Sequence, residues 1–586
     1  MSDRADIAGA SGPMTGAAFS DLVTGGPKRM FLRASGLSRE AVRRRPIIGI
    51  CSSWSELNPC NMGLRDLAEG VRRGVTAAGG TALVFPTISL HEQFVAPTTM
   101  LLRNLMSMDV EEMIRCSPID GVVLLAGCDK TVPAQLMGAA SAGKPAIMLT
   151  AGPRSWARFR GEPVVTDDGW TLATEFLEGR LSTEEADALE DVFCASVGVC
   201  NVMGTANTMA VMAEALGMAL PGSALVPAVH AQRISLGEMT GARAVELARK
   251  GTTPEAVLTE TAFDNALRVL VAMGGSTNAV IHLEAIAGRL GLKLGLDRLE
   301  QISRETPRVL GVRPSGSFTL EDFDEAGGVP ALLRVLGPLL DRDAVSGDGR
   351  TIGHVAETAG GRPHACLRST DNPFEPDGGL VVLRGSLAPR GSIFKRSAAP
   401  VQMWTHRGPA LVFDDYRTAL ERSLDPNLRA TPETVLVVRN AGPVGAPGMP
   451  EIDVVPIPIS LRNAGVRQMV CVTDGRMSGT QFGAVALHVT PEAAAGGPIG
   501  LVRDGDEIIL DAQRGVLDLL VDERELSRRA EESRPERPTP ARGYEALYVG
   551  HVLQADEGCD LDFLVDGSPR PVSTDLRPHT STKDHL

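Results

Sequence analysis

The chain has 586 residues, of which 43% are hydrophobic and 22% are charged, and its formal net charge at pH 7 is −14. A chain of this length is longer than a domain with one hydrophobic core usually is, so two or three domains are expected. The negative charge disfavours nucleic acid and anionic membranes as partners, because proteins meet those surfaces with clustered Lys and Arg.

The beginning of the chain and its cysteines favour a cytoplasmic protein. Residues 1–19 lack a basic segment followed by an apolar block, and no later stretch is apolar over the thickness of a membrane. The nine cysteines are an odd number spread thinly over a long chain, unlike the disulfide framework of a secreted protein. Reduced thiols, some of them bound to metal, fit this pattern better. If the substrate is a small anion, bound cations must attract it locally.

Apolar runs alternate with segments of helical periodicity through the first 150 residues. Buried strands are predicted at 47–51, 81–86, 121–126 and 146–150. Helices are predicted from about 61 to 79, and at 100–115 and 133–142. Strands that alternate with helices indicate βαβ units and a parallel sheet covered on both faces, so the fold class is α/β.

Three more helical segments follow. The segment from Thr205 to Leu220 is rich in Ala and Met, and its methionines are interpreted as core filler. Two further helices are predicted at 254–273 and 276–290, divided by two glycines, with Ser276 as the N-cap of the second.

After about Thr370 the pattern changes to short β-rich runs separated by Gly, Pro and Asp, as in a barrel or sandwich. These runs lie at 380–384, 434–438, 468–472, 507–511 and 516–521. A domain boundary near 375 therefore divides the chain into an N-terminal α/β domain (1–375), a C-terminal β domain (376–566) and a tail (567–586). The charged, proline-containing stretch 531–542 is predicted to be a linker or an exposed loop.

Three cysteines, Cys60, Cys128 and Cys200, each precede a helical segment after a strand-like or glycine-rich stretch. Cys128 is followed at once by Asp129 and Lys130, so an apolar strand leads directly into a thiol, a carboxylate and an amine. Such a cluster needs partners or metal if it is buried. Soft thiolates beside hard oxygen ligands suggest two different metals in one pocket.

The predicted sheet gives these residues a common location. Open α/β sheets place ligand sites beyond the carboxyl ends of their strands, and Cys60, Glu92 and residues 128–130 all follow strand ends. An isolated cysteine is more often a small buried hydrophobe, and that interpretation is kept for the remaining six. They are Cys51, Cys116, Cys194, Cys366, Cys471 and Cys559. On the residues alone, a tri-cysteine zinc site remains an alternative for the other three.

Six motifs resemble those of the dihydroxyacid and sugar-acid dehydratase family, and the resemblance extends from about residue 28 to 566. The motifs are P-C-N-M at 59–62, G-C-D-K-T-V-P-A at 127–134, C-N-V-M-G-T-A-N-T-M at 200–209, A-M-G-G-S-T-N at 272–278, G-A-P-G-M-P-E at 445–451 and T-D-G-R-M-S-G at 473–479. On spacing alone, the last two motifs could be simple turns. The stretches 107–115 and 551–564 resemble the sugar-acid branch more than the branched-chain amino-acid branch.

The resemblance implies a [2Fe-2S] cluster on Cys60, Cys128 and Cys200, with one iron open to substrate. Phosphogluconate dehydratases are understood to carry a [4Fe-4S] cluster on the same number of ligands, so the cluster type follows from the resemblance. It further implies a homodimer or homotetramer, with an N-terminal three-layer α/β/α domain and a C-terminal β-barrel-like domain flanked by helices.

By the same resemblance, Mg²⁺ is held by Glu92, Asp129, Glu451 and a carbamylated Lys130, because hard oxygen ligands suit this ion. A simple cation for the substrate carboxylate is the alternative for Lys130. Ser478, as an alkoxide, is implied as the base, although serine needs nearby cations to lower its pKa strongly.

The implied reaction removes water from a sugar acid with hydroxyl groups at C2 and C3 and yields a 2-keto-3-deoxy acid. A dihydroxyacid dehydratase of branched-chain amino-acid synthesis is the main alternative. Its alkyl-bearing substrate would prefer an apolar pocket, whereas a sugar acid needs polar partners for its other hydroxyls. A metal-binding structural or redox protein would need the cysteines but not the carboxylates and Ser478.

Two features depart from the family pattern. His91 stands where a glycine is expected in relatives, and a bulky residue beside Glu92 would reshape the substrate pocket. The tail carries His579 and His585 in an otherwise unfamiliar sequence, and we expect a solvated, disordered end there.

Overall fold

A computed structural model of the chain describes residues 25–177, 180–478, 483–533, 535 and 537–565. The strands of its N-terminal part are β1 (Ile47–Ser52), β2 (Thr81–Pro86), β3 (Gly121–Ala126), β4 (Ala146–Thr150), β5 (Ala157–Phe159) and β6 (Glu162–Val164). The helices that alternate with the first strands are α1 (Gly25–Ala34), α2 (Arg39–Arg44), α3 (Leu64–Ala77), α4 (Thr99–Cys116) and α5 (Thr131–Ala142). They continue with α6 (Asp168–Leu177), α7 (Thr183–Phe193), α8 (Thr205–Ala215) and α9 (Ala231–Lys250).

Strands β1 to β4 form a parallel sheet in the order β2-β1-β3-β4. Alternate side chains of β1 enter different hydrophobic clusters: Ile47 packs with residues of α4 and α5, whereas Ile48 packs with residues of α3 and α9. This alternation follows from the two-residue period of a strand. Helices therefore cover both faces of the sheet, which confirms the predicted α/β class.

A helical region follows the sheet and packs on its α5 side. Its helices are α10 (Glu260–Ala272), α11 (Asn278–Gly288), α12 (Gly295–Glu305), α13 (Leu320–Glu325), α14 (Gly328–Leu336) and α15 (Ile352–Glu357). Met209 and Met212 of α8 are fully buried in this core, as the interpretation of its methionines expects. Within the described residues, no helix combines the length and apolar character needed to span a bilayer.

Two predicted helix starts are wrong. Pro254–Ala256 forms a separate 3-10 turn, and α10 begins only at Glu260, where the Thr259 side chain accepts from the Ala262 N–H. Helix α11 begins at Asn278 with Thr277 at the N-cap position. The Ser276 hydroxyl still accepts from the Asn278 N–H at 3.3 Å, so it contributes a cap from one residue earlier.

The C-terminal part is built around an eight-stranded mixed sheet. Its strands are β7 (Val381–Leu383), β8 (Gly391–Phe394), β9 (Thr405–Phe413), β10 (Val435–Val438), β12 (Cys471–Thr473), β14 (Val485–Thr490), β15 (Glu507–Asp511) and β16 (Val516–Leu519). The strand order is β16-β15-β9-β10-β12-β14-β8-β7. A bridge between Arg384 and Val516 joins the two edges, so the sheet is barrel-like, as predicted.

Short elements surround this barrel. The helices are α16 (Tyr416–Ser423), α17 (Ile459–Asn463), α18 (Glu523–Glu532) and α19 (Tyr544–His551), and a small parallel pair is formed by β11 (Glu451–Ile452) and β13 (Arg476–Met477). The stretch predicted as a linker at 531–542 begins inside α18. The tail histidines His579 and His585 lie outside the described residues.

A buried ion pair joins the end of α11 to the segment after α19. Arg289 Nε donates to Asp560 Oδ2 at 2.5 Å, and both side chains are fully buried. We expect Asp560→Ala to destabilise the fold by roughly 3–5 kcal/mol, because it leaves a buried guanidinium with Glu111 as its remaining carboxylate partner. The thermal unfolding midpoint would fall by several degrees. Asp562→Ala, which removes an exposed pair with His551, is the control and should change the stability by less than about 0.5 kcal/mol. Equal midpoints for the two variants would contradict the expectation.

Candidate active site

Two asparagines fix the loops that follow β1 and β2. Asn58 Nδ2 donates to Ser89 Oγ at 3.1 Å and to the Leu90 carbonyl at 2.9 Å, and its Oδ1 accepts from the Cys60 N–H at 3.1 Å. Asn61 Nδ2 donates to the same Ser89 hydroxyl at 3.1 Å. Because the strands are parallel, both loops leave the same edge of the sheet, and these hydrogen bonds hold Cys60 close to the loop that carries Glu92.

The loop after β3 approaches this pair closely. A Cβ at Gly127 would lie 2.4 Å from Asn61 Oδ1, so only glycine fits there. Cys128 then adopts a left-handed backbone with φ 41°, which is uncommon for a residue other than glycine. The Thr131 hydroxyl donates to the Gly127 carbonyl at the start of α5. Strained backbone of this kind is concentrated at functional sites.

Cys60, Cys128 and Cys200 form what we term the sulfur group. A hydrogen bond with Cys128, together with His91, lowers the pKa of the Cys60 thiol to about 6 against the effect of burial. The same hydrogen bond raises the pKa of the Cys128 thiol, and burial and the nearby Cys200 raise this pKa further. Burial raises the pKa of Cys200 to about 11. The thiols of Cys60 and Cys128 are therefore in hydrogen-bond contact, and Cys200 interacts electrostatically with both.

Glu92, Asp129, Lys130 and Glu451 form the oxygen group. Lys130 Nζ lies 3.4 Å from Glu92 Oε2 and 3.5 Å from Glu451 Oε1, and it donates to Asp129 Oδ2. Burial lowers the pKa of Lys130, but the three carboxylates outweigh this effect and raise the pKa above its usual value. Cys128 Sγ lies 3.5 Å from Asp129 Oδ1, so the oxygen group adjoins the sulfur group.

Arg476 is a second buried cation of the oxygen group, and the sequence did not assign it a role. Its guanidinium donates to Glu451 Oε1, to Glu92 Oε1 at 3.2 Å and to Thr98 Oγ1 at 2.7 Å. The sequence did contain a signal for a role of Arg476, because this residue lies in the same motif as Ser478, two residues before it. Three carboxylates against Lys130 and Arg476 leave one net negative charge in the group.

Ser478 directly follows β13, and its side chain is partly exposed. Its neighbour Met477 accepts a hydrogen bond through its carbonyl from Asn278 Nδ2 at 3.4 Å, and the same Nδ2 donates to Glu451 Oε1 at 3.2 Å. The chain thus carries Ser478 to the edge of the oxygen group. Asn278, which the sequence suggested only as part of a helix start, positions Glu451.

His91 contacts the sulfur group. Its ring stacks on Phe94 with centroids 4.4 Å apart, and it hydrogen-bonds to the Cys60 thiol. The bulky residue beside Glu92 therefore contacts the sulfur group, and its effect on the substrate pocket stays a prediction.

The interpretation of the remaining cysteines as buried hydrophobes holds for four of them, namely Cys51, Cys366, Cys471 and Cys559. It is wrong for Cys116 and Cys194, which are exposed.

The donor types fit the two implied metal groups. The thiols of the sulfur group suit iron or zinc, and the three carboxylates around the buried Lys130 suit Mg²⁺. Asn278 Oδ1 is buried next to Glu451 and has no hydrogen-bond partner in the described part of the chain, as expected of an atom that faces a ligand. Among the described residues no three His, Cys, Asp or Glu side chains form a ready coordination set. In the oxygen group, Lys130 and Arg476 contact the carboxylates instead.

Comparisons with known proteins find matches over almost the whole chain. A family model described as dihydroxy-acid/6-phosphogluconate dehydratase N-terminal matches residues 45–355, and the corresponding C-terminal model matches residues 365–559. An L-arabonate dehydratase of Azospirillum brasilense is 46% identical, with 92% of this chain and 94% of the relative covered. A 6-deoxy-6-sulfo-D-gluconate dehydratase of Pseudomonas putida is 45% identical over 93% and 94%. A dihydroxy-acid dehydratase of Ignicoccus hospitalis is 39% identical over 92% and 98%.

Proposed function

Because this chain belongs to the dihydroxy-acid/6-phosphogluconate dehydratase family and is a dehydratase, that is, a hydro-lyase, we propose that it converts a sugar acid to a 2-keto-3-deoxy acid. The substrate carries hydroxyl groups on C2 and C3 beside its carboxylate. The relatives named for sugar acids share 42–46% identity with the chain, against 39% for the dihydroxy-acid dehydratase. This difference supports the sugar-acid branch.

One observation carries the proposal: the sulfur group and the oxygen group adjoin at Cys128 and Asp129. Two donor sets of opposite hardness in contact can bind neighbouring oxygen atoms of one small molecule. A structural or redox metal site would require only the thiols. The carboxylates that gather beside them are what favours a dehydratase.

The sulfur group and the oxygen group have separate roles in this proposal. When bound, an iron–sulfur cluster and Mg²⁺ supply Lewis acidity, the first toward the 3-hydroxyl and the second toward the carboxylate and 2-hydroxyl. Cys60, Cys128 and Cys200 would hold the cluster, and Glu92, Asp129, Glu451 and Lys130 would hold Mg²⁺.

Carbamylation of Lys130 would change the charge of its end from positive to negative. The net charge of the oxygen group would fall from one negative charge to three, which calls for a divalent cation. The raised pKa of Lys130 favours the ammonium form in the present arrangement. The modification therefore stays a prediction, to be checked by the intact mass of the metal-loaded protein.

Ser478 is proposed to take the proton from C2. Its hydroxyl can act as a base only if nearby positive charge stabilises the alkoxide, and Arg476 lies two residues away with its charge buried. The proton leaves C2 while the hydroxide leaves C3, and the resulting enol becomes the 2-keto acid. Asn278 keeps Glu451 and the Ser478 segment in register through its two hydrogen bonds.

The alternative is a dihydroxy-acid dehydratase of branched-chain amino-acid synthesis, which uses the same reaction on an alkyl-bearing acid. The family includes both activities by name. The two activities differ in the side chains that contact the substrate beyond C3, since hydroxyl groups at those positions need polar partners.

A direct assay tests the proposal. Anaerobically purified protein is incubated with L-arabonate, D-gluconate and 2,3-dihydroxyisovalerate, and the 2-keto acid formed is measured. We expect kcat/KM for at least one sugar acid to exceed that for 2,3-dihydroxyisovalerate by about 10-fold or more, the discrimination that one unpaired polar contact provides. A preference for 2,3-dihydroxyisovalerate would favour the alternative.

We further propose a cytoplasmic location and a homodimer or homotetramer. Thiol ligands require a reducing compartment to stay available for metal. Light scattering coupled to size-exclusion chromatography would give the subunit number.

A further inference from the structure

Arg154 is a cation next to the sulfur group that the proposed reaction does not use. It lies in the segment after β4, and this segment pairs with the one that carries Cys200. Pro153 and Val199 form a parallel bridge, and the Arg154 N–H donates to the Val199 carbonyl at 2.8 Å. The backbone at Arg154 is therefore hydrogen-bonded to the residue directly before Cys200.

The same backbone region reaches Cys60. The Gly198 N–H donates to the Pro59 carbonyl at 3.3 Å, and Pro59 directly precedes Cys60. A Cβ at Gly198 would lie 2.8 Å from the backbone nitrogen of Arg154, so only glycine fits there. The segments that lead into Cys60 and Cys200 and the segment of Arg154 are thus packed directly against one another.

Two side chains hold the guanidinium of Arg154. Its Nη1 donates to Cys194 Sγ at 2.9 Å, and its Nη2 donates to Thr166 Oγ1 at 3.0 Å. The Thr166 hydroxyl also accepts from the Asn201 N–H at 3.3 Å, and it hydrogen-bonds to the Cys200 thiol. One hydroxyl group therefore connects the guanidinium to the sulfur atom of Cys200.

The positive charge of Arg154 acts on two thiols of the sulfur group. The hydrogen bond with Cys128 is the main cause of the lowered pKa of Cys60, and Arg154 lowers this pKa further. Burial raises the pKa of Cys200, and Arg154 opposes this effect. The Nε of Arg154 is buried and has no hydrogen-bond partner among the described residues, so one donor of the guanidinium remains for a bound group.

We propose that Arg154 is the countercharge of the sulfur group: its guanidinium, held by Thr166 and Cys194, offsets the negative charge of the thiolates when they bind the iron–sulfur cluster. A cluster with three thiolate ligands keeps a net negative charge, which increases on reduction. A fixed positive charge nearby stabilises the bound cluster, and its reduced form most of all. Arg154 is thus a positioning residue that acts through the metal group. This inference rests on the proposed function.

The test measures the cluster in the full-length, anaerobically purified protein without substrate. Arg154→Met removes the charge and keeps most of the length of the side chain. We expect one-electron reduction, followed by visible absorption, to become about tenfold less favourable, a shift of about 59 mV to more negative potential. Iron release to a chelator should be about 10-fold faster, because loss of a group that supports a metal ligand weakens metal binding.

Arg158→Met is the matched control, because it removes the same charge a few residues further along the chain. Arg158 is exposed, donates to the Gly161 carbonyl at 2.9 Å and lies over the ring of Trp156. Its loss should leave the potential and the iron release unchanged. Arg154→Lys keeps the positive charge without the two-armed contact and should restore more than half of the shift.

The readouts separate a countercharge from other roles of Arg154. An unchanged potential in Arg154→Met would overturn the inference, whether the thermal unfolding midpoint falls, as for a structural role, or KM rises, as for a contact with the substrate. Loss of the cluster with methionine and lysine alike would also overturn it. A wild type without iron and sulfide would refute the proposed cofactor and the inference together, whereas a loaded wild type with an unchanged potential in Arg154→Met refutes the inference alone.

Discussion

Cys200→Ser is expected to lose at least about 10³-fold in kcat/KM, because the variant would lose the Lewis acidity that we propose for the leaving hydroxyl, a contribution of several kcal/mol. Serine is a hard oxygen donor and does not replace a thiolate on iron. The iron and acid-labile sulfide content should fall with the activity. Cys200 is partly exposed, so the substitution should perturb the core less than a change at Cys60 or Cys128.

Cys116→Ser is the control for this experiment, because Cys116 is an exposed thiol at the end of α4 and lies outside the sulfur group. It should keep the iron content and the activity of the wild type. A Cys200→Ser protein that retains its iron and its turnover would show that the three thiols do not form one site.

Ser478→Ala is expected to keep the iron content, the visible absorption and the thermal unfolding midpoint but to lose about 10²- to 10⁴-fold in kcat, the usual contribution of a general base. The loss should appear in kcat more than in KM, because the proton is transferred only in the transition state. An isotope effect from deuterium at C2 would increase if the transfer becomes rate-limiting. Near-normal turnover in this variant would refute the assignment of the base.

Ser460→Ala provides the comparison, because Ser460 is an exposed serine of α17 in the same domain. Its activity should match the wild type. A similar loss in both variants would point to a general effect of serine substitution in this domain instead of base catalysis.

Much of the fold could be predicted, because the periodicity of apolar residues in the sequence matches the burial of those residues in the structure. Strand β3 was predicted at its observed bounds, since a short unbroken apolar run between polar residues, in a region where strands and helices alternate, is typical of a buried strand. Strand β9 was not predicted, because its Gly408 and Pro409 resemble a turn. In the structure, β9 pairs with β15 up to Pro409 and with β10 only from Ala410, so the missing N–H of proline breaks no hydrogen bond of the sheet.

The candidate residues of the site were predicted from the sequence, whereas Arg476, the second cation of the oxygen group, was assigned no role. Glu92 and Glu451 are far apart in the chain, and only the folded structure shows that Arg476 connects them.

The most direct test of the central claim, that thiol-held iron and oxygen-held Mg²⁺ act on one sugar acid, is a titration of activity against metal content. Protein purified without oxygen is assayed for iron, acid-labile sulfide and zinc, and its rate of 2-keto acid formation is followed as iron and Mg²⁺ are removed and restored. We predict that the rate rises in proportion to iron and sulfide, requires Mg²⁺ and is not restored by zinc. A colourless, iron-free preparation with full activity would contradict the account.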